Sequence, residues 1–184
     1  MAPSLLVGKI TDKKLITMKA KDISEIIKKL APPELAYEGE EIGFIVGDEN
    51  KEIAVVGVTE RPTTKVLQEA IVNKVDMLII HEPLYQSKKS FLVDAKFLSY
   101  PPNQKREELV KKGNFCVYRL HSEWDDAKDG NNDTLAKLLR LEVTDKLPYG
   151  RIGKIESISL QQFSELIKKS IGCKYVLVVG NKDK

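Results

Sequence analysis

IAVVGVTERPTTKVLQEAIVNKVDMLII, residues 53–80, decides the fold. Its first part, Ile53 to Val58 (IAVVGV), is a nearly continuous apolar run, the pattern of a strand buried on both faces. Val66, Leu67, Ala70 and Ile71 then recur at helical spacing, in a helix that starts near Pro62. Asp76 to Ile80 (DMLII) is a second buried strand. Strand, helix and strand in about thirty residues make a βαβ unit, which favours a parallel sheet with a right-handed crossover.

Working outward, Ile23, Ile26, Ile27 and Leu30 follow the i, i+3, i+4, i+7 pattern of an amphipathic helix. Asp22 and Glu25 resemble a capping pair for it, and Pro32 and Pro33 end it. Ile42 to Val46 reads as a short strand. Beyond the central unit, a polar connection from His81 to Pro102 is interrupted by Phe91, Leu92 and Val93. Asn103 to Lys112 predicts a charged surface helix stopped by Gly113, and Phe115 to Leu120 (FCVYRL) a third parallel-type strand. The loop from His121 to Gly130 leads into a helix with Leu135, Leu138 and Leu139 on one face.

Pro148, Gly150 and Gly153 predict a hinge over Leu147 to Gly153. A strand at Lys154 to Ser157, a helix opened by a Ser159/Gln162 capping box and stopped by Gly172, and a strand at Tyr175 to Val179 follow. The expected fold is therefore α/β, a parallel or mixed sheet flanked by helices, with a small C-terminal βαβ appendage. The expected organisation is an N-terminal extension over 1–17, a main domain over 18–146 and a partial second domain over 147–184.

Composition narrows the function. In 184 residues, 30 Lys plus Arg against 27 Asp plus Glu give a net charge of +3, too weak to suggest nucleic-acid binding. No apolar run approaches the ~20 residues of a spanning helix, so no membrane role is expected. Two cysteines, Cys116 and Cys173, read as buried thiols of a reducing, cytoplasmic protein. Two histidines exclude a three-histidine zinc site, and two cysteines a four-cysteine one.

Those two histidines are nevertheless the chemical focus. His81 directly follows DMLII, and His121 directly follows FCVYRL. In an open parallel sheet, ligands bind beyond the carboxyl ends of the strands, so neighbouring strands would bring both imidazoles to one crevice. Carboxylates accompany them: Glu82 beside His81, and Glu123, Asp125, Asp126 and Asp129 after His121. Such a mixture suits zinc, manganese, iron or nickel. Asp125 is favoured because four residues of loop let it fold back toward His121, while Glu82, Glu123, Asp126 and Asp129 individually read as solvated. Trp124 could stack on a ring-shaped ligand or pack over its loop, with Tyr85 a weaker candidate for the same role. No nucleophile elbow or phosphate loop is present.

Several segments together resemble the Nif-three-like metal-binding proteins, also called GTP cyclohydrolase type 2 homologues. MKAKDISEIIKKLAPPELA (18–36) looks like the family's opening helix, and VDMLIIHEPLY (75–85) like its strand followed by a paired-histidine, proline, leucine motif. YRLHSEWDDAKDGNNDTLAKLLRL (118–141) resembles its histidine, four-step aspartate and glycine–asparagine signature, and SLQQFSELIKKSIGCKYVLVVGNKDK (159–184) the segment where the family chain runs on.

The resemblance implies a dinuclear metal site in a protein that assembles with copies of itself. His81, His121 and Asp125 fall on family ligand positions, the aspartate as a bridge between ions. Three departures stand out. Glu82 replaces the second histidine of the pair, and Gly39, Glu40 and Glu41 replace a tryptophan–aspartate–asparagine segment. The chain also stops where family members continue to a further histidine and glutamate. The expected metal set is His81, Glu82, His121 and Asp125, holding one or two divalent ions. Two functional readings stay open: a metal-dependent hydrolase acting on a nucleotide or related small molecule, or a non-catalytic oligomeric scaffold with a decayed site.

Overall fold

In the computed structural model, residues 5–9, 17–85, 100–147 and 150–181 are described. In chain order they form β1 (Leu6–Lys9), β2 (Met18–Lys19), α1 (Ala20–Leu30), β3 (Gly43–Val46), β4 (Glu52–Ile53) and β5 (Val55–Thr59). Then come α2 (Thr64–Val72), β6 (Met77–Ile80), α3 (Pro101–Gly113), β7 (Cys116–Arg119) and α4 (Ser122–Asp126). The last elements are α5 (Asn131–Leu138), β8 (Glu142–Leu147), β9 (Gly150–Lys154) and α6 (Leu160–Ile171).

Among the described residues, β1-β5-β6-β7-β3 is one mixed sheet. β5, β6 and β7 are parallel, Val58 pairing Ile79 and Ile79 pairing Tyr118, as the βαβ reading requires. β3 lies antiparallel to β7 and β1 antiparallel to β5, closing the two edges. β6 and β7 are buried along almost their whole length because both faces are covered. Leu67, Leu78, Leu109 and Val117 belong to one buried cluster, and Ile27, Ile53, Met77 and Tyr118 to the other. Each fully buried Leu or Met contributes about 1.5–3 kcal/mol relative to an exposed one. No helix among the described residues is long and apolar enough to cross a membrane.

The structure refines several expectations. The run IAVVGV is not one strand. Ala54 interrupts it because the backbone N–H groups of Ala54 and Val55 both donate to Asp76 Oδ2, each at 3.0 Å. β4 then pairs with β2 in a separate ribbon. Asp22 does not cap α1; Lys19 occupies the N-cap position with no side-chain bond, and Glu25 instead bonds Lys28. Helix α3 is stopped by Asn114 in the left-handed conformation, while Gly113 makes room for the Phe115 ring, which a Cβ there would meet at 2.3 Å. The extension ahead of residue 18 supplies β1, a short antiparallel edge strand whose four residues carry too little periodicity to announce it. Phe91, Leu92 and Val93 lie outside the described residues.

Contacts divide the chain into residues 2–124 and 125–184. The sequence placed a boundary at 147 instead. The expected hinge is an antiparallel hairpin, β8 pairing β9 from Glu142↔Lys154 to Leu147↔Gly150. Arg151 of β9 ties this hairpin to the preceding helices: its side chain is 3% exposed, with Nε donating to Asp133 Oδ1 at 2.6 Å and Nη1 to Asp126 Oδ1 at 3.3 Å. Asp126 and Asp133 therefore belong with β9 rather than with the sheet. The Ser159/Gln162 capping box of α6 forms in both directions, and Gly172 closes the helix at φ +64°. Tyr175 to Val179 joins no strand ladder among the described residues.

Candidate metal centre

Backbone bonds beyond the strand ends set this region. The His81 N–H donates to Thr59 O at 3.2 Å, the Glu82 N–H to Glu60 O at 2.8 Å, and the Leu120 N–H to Ile80 O at 2.9 Å. The parallel ladder thus runs on past β6 and β7, and carries His81 and His121 out side by side. Their ring centroids are 4.6 Å apart with planes tilted by 48°. The crevice expected from two strand-end histidines is present because β6 and β7 are neighbours.

Each imidazole is held through Nδ1. That of His81 lies 3.0 Å from Leu120 O, and that of His121 lies 3.0 Å from Glu40 Oε1. A carbonyl and a carboxylate can only accept, so each Nδ1 carries a proton, and in its neutral form each ring has its lone pair on Nε2. This is the state in which a histidine binds a metal, with its other nitrogen anchored by an oxygen. The donor chemistry of the pair therefore fits a divalent ion.

The surrounding charges are arranged in detail. Glu40 Oε2 accepts from the Ser122 hydroxyl, which itself accepts from the Tyr37 N–H at 3.0 Å. Burial alone would raise the Glu40 pKa, but the bonds from Ser122 and His121 and the Arg119 charge hold it below the ordinary glutamate value. Glu123, expected as a solvated carboxylate, is 1% exposed. Burial raises its pKa although its Oε2 accepts the His121 N–H at 3.0 Å. Arg119, at the end of β7, is 5% exposed. Its Nε donates to His81 O at 3.1 Å and its Nη1 to Glu41 O at 2.8 Å, binding the histidine turn to the segment that carries Glu40.

The four residues expected as ligands fare differently. His81 and His121 come together. The Glu82 carboxylate lies 3.7 Å from the Arg61 guanidinium. Asp125 belongs to the second unit, where its Oδ1 accepts from Asn131 at 2.6 Å, and the segment after His121 is the short helix α4 rather than open loop. Among the described residues, no group of three or more His, Cys, Asp or Glu side chains is gathered closely enough to hold a metal ion. Asp129 pairs with Lys137, and Trp124 is partly buried. The Tyr85 hydroxyl donates to Glu107, and burial raises its pKa. Cys116 is buried with its thiol on Asp48 O and its pKa raised by burial, as expected of an inert thiol; Cys173 is free and partly buried.

Glu40, Ser122 and Arg119 are not among the candidates that the sequence pattern points to, and Glu123 reads there only as a solvated carboxylate. A charged residue inside the apolar FCVYRL run was the available signal for Arg119. Nothing local announced Glu40, whose partners stand 81 and 82 positions away.

Comparison with known proteins agrees with this architecture. A GTP cyclohydrolase 1 type 2 homolog from Methanocaldococcus jannaschii is 34% identical over 170 residues, covering 90% of this chain and 66% of that protein. Reduced HcgD from the same organism superposes with a TM-score of 0.69 at 32% identity, covering 85% of this chain and 61% of the other. A Bacillus cereus protein related to NIF3 gives a TM-score of 0.76 at 19% identity over 91% of this chain and 74% of that one, a likeness of fold. The chain thus spans about two thirds of the length of these relatives. The family model for Duf34/NIF3 (NGG1p interacting factor 3) matches residues 18–184, all but the segment that supplies β1. The chain belongs to the Duf34/NIF3 family.

Proposed function

We propose that this protein binds a divalent metal ion at the strand-end histidines and uses it in hydrolysis of a nucleotide or related small molecule. The observation that carries the reading is the pair of imidazoles 4.6 Å apart, each anchored through Nδ1. His81 and His121 would hold the ion, with Glu82, next in the chain to His81, as the carboxylate ligand. Zinc, manganese, iron or nickel suits such a set, as one ion or two. A bound ion would polarise the scissile group and lower the pKa of the attacking water. The protein's own contribution is to hold both rings in one tautomer, and to draw the Glu82 charge toward Arg61 until a cation competes for it. The nucleotide class comes from the name of the relatives, GTP cyclohydrolase 1 type 2 homolog.

Metal content of the purified chain, with His81→Ala and His121→Ala as controls, tests the reading. About one equivalent or more is expected in the wild type and a large loss in both variants. Less than about a tenth of an equivalent after loading, unchanged by either substitution, would remove it. Release of product from GTP by the loaded chain, absent in both variants, tests the hydrolase step.

One observation favours a second reading, a self-associating scaffold in the cytoplasm without catalysis: the described residues gather only two of the ligating side chains. Light scattering separates the two. A multimer that takes up no metal supports the scaffold, and a metal-loaded chain with GTP turnover supports the enzyme.

A further inference from the structure

We propose that Glu40 is a positioning residue for His121, the carboxylate that keeps the ring protonated on Nδ1 and so leaves Nε2 to bind a divalent cation. This rests on the metal reading above and adds a residue to it. Three contacts between the segment from Tyr37 to Glu40 and the adjacent His121 and Ser122 carry it. Glu40 Oε1 faces His121 Nδ1 at 3.0 Å, its Oε2 accepts the Ser122 hydroxyl, and Ser122 in turn accepts the Tyr37 N–H at 3.0 Å. Both carboxylate oxygens are therefore engaged, and the Glu40 and His121 side chains are only 16% and 21% exposed.

The two histidines are built by different means. His81 is held by a main-chain carbonyl, Leu120 O, which no side-chain substitution removes. Among the described residues, the His121 ring is anchored by a side chain, Glu40. An oriented carboxylate fixes the tautomer and also raises the electron density of the ring, strengthening Nε2 as a donor. Glu40 lies in the segment where a tryptophan–aspartate–asparagine pattern was expected and is missing, so the departure supplies an anchor rather than a loss. Arg119 braces the same segment through Glu41 O and the histidine turn through His81 O, which holds Glu40 in register with the ring it serves.

The experiment uses the full chain, labelled with nitrogen-15, in wild-type, Glu40→Leu and Glu40→Gln forms. Long-range proton–nitrogen correlation of the metal-free protein reads the tautomer of each histidine. In the wild type both rings are expected with Nδ1 protonated. In Glu40→Leu, His121 is expected to move to the Nε2-protonated form preferred by a free imidazole, while His81 keeps its pattern and serves as the internal control. Zn²⁺ affinity measured by chelator competition is expected to fall about 10–100-fold in Glu40→Leu and by a smaller factor in Glu40→Gln, which retains an acceptor but not the charge.

A His121 ring that stays protonated on Nδ1 in Glu40→Leu overturns the proposal, as does an unchanged Zn²⁺ affinity. If Glu40→Leu does not fold, Glu40→Gln decides, and wild-type affinity in that variant overturns the proposal as well. A wild-type chain that takes up no Zn²⁺ removes the metal reading itself. The tautomer comparison still judges the hold of Glu40 on His121, so the two failures are distinguishable.

Discussion

Replacing Arg119 by leucine removes a buried cation from the end of β7 and leaves its partners in place. The side chain is 5% exposed, and it makes two charge-assisted bonds, to His81 O at 3.1 Å and Glu41 O at 2.8 Å. Each such bond contributes about 1.5–3 kcal/mol. Losing both gives about 3–6 kcal/mol, and the carboxylates of Glu40, Glu41, Glu82 and Glu123 lose their shared counter-charge. Leucine restores part of the apolar contact made by the arginine stem, which brings the expectation to about 3–5 kcal/mol, the range for a broken buried charge network. Arg119→Lys keeps the charge, but its single ammonium cannot span two carbonyls as a planar fork does, so about 1–2 kcal/mol is expected. Urea unfolding is the assay, followed by fluorescence of Trp124, the single tryptophan, which lies in the unit that holds Arg119. With a urea m-value of about 2 kcal/mol/M, the leucine variant should unfold about 1.5–2.5 M earlier. A leucine variant within about 1 kcal/mol of wild type at unchanged m would refute the reasoning. So would a lysine variant as unstable as the leucine one, since the fork geometry would then count for nothing.

Three further perturbations test the structure. Gly47→Ala places a Cβ 2.7 Å from Cys116 Cα at φ +109°, so backbone strain and overpacking add to about 3 kcal/mol by chemical denaturation. Gly39→Ala, at φ +84° with open space around it, should lose only the backbone part, about 1–2 kcal/mol. Asp133 has its pKa lowered, first by the Asp129 N–H and then by the Arg151 bond. Its contribution to stability is therefore complete above the unfolded carboxylate value near ~4, and is lost as pH falls through the folded value. Unfolding of the 125–184 unit, followed by circular dichroism during acid titration, should lose this component in Asp133→Asn, and an unchanged acid limb would contradict the Arg151 clamp.

The legible parts of this fold are those in which burial writes a local pattern. DMLII and FCVYRL stand out because parallel strands covered on both faces need apolar residues at consecutive positions. Ser159 and Gln162 are readable because a capping box spans only three residues and is completed within them. The Asp22/Glu25 pair looked equally good but fails, since β2 leads directly into α1 and leaves Lys19 extended at the cap. The break at Ala54 was hidden because its cause, Asp76, belongs to the next strand connection. The hinge expected from Pro148, Gly150 and Gly153 gives way to a hairpin, since Glu142 pairs with Lys154. Gly153 is required there because a Cβ would meet Glu142 O at 2.3 Å.

By itself the sequence determined the βαβ core, the family, and the placement of two histidines just beyond two buried strands. These are local facts, since they depend on side-chain periodicity and on which residue follows a strand. Only the tertiary structure decided that β6 and β7 are neighbours, which turns two separate histidines into a pair with centroids 4.6 Å apart. It also decided that Glu40 and Arg119, remote in sequence from the residues they hold, complete the surroundings of that pair. The physical reason is that a hydrogen bond reads only distance and direction in space, and neither is encoded in a short window of chain.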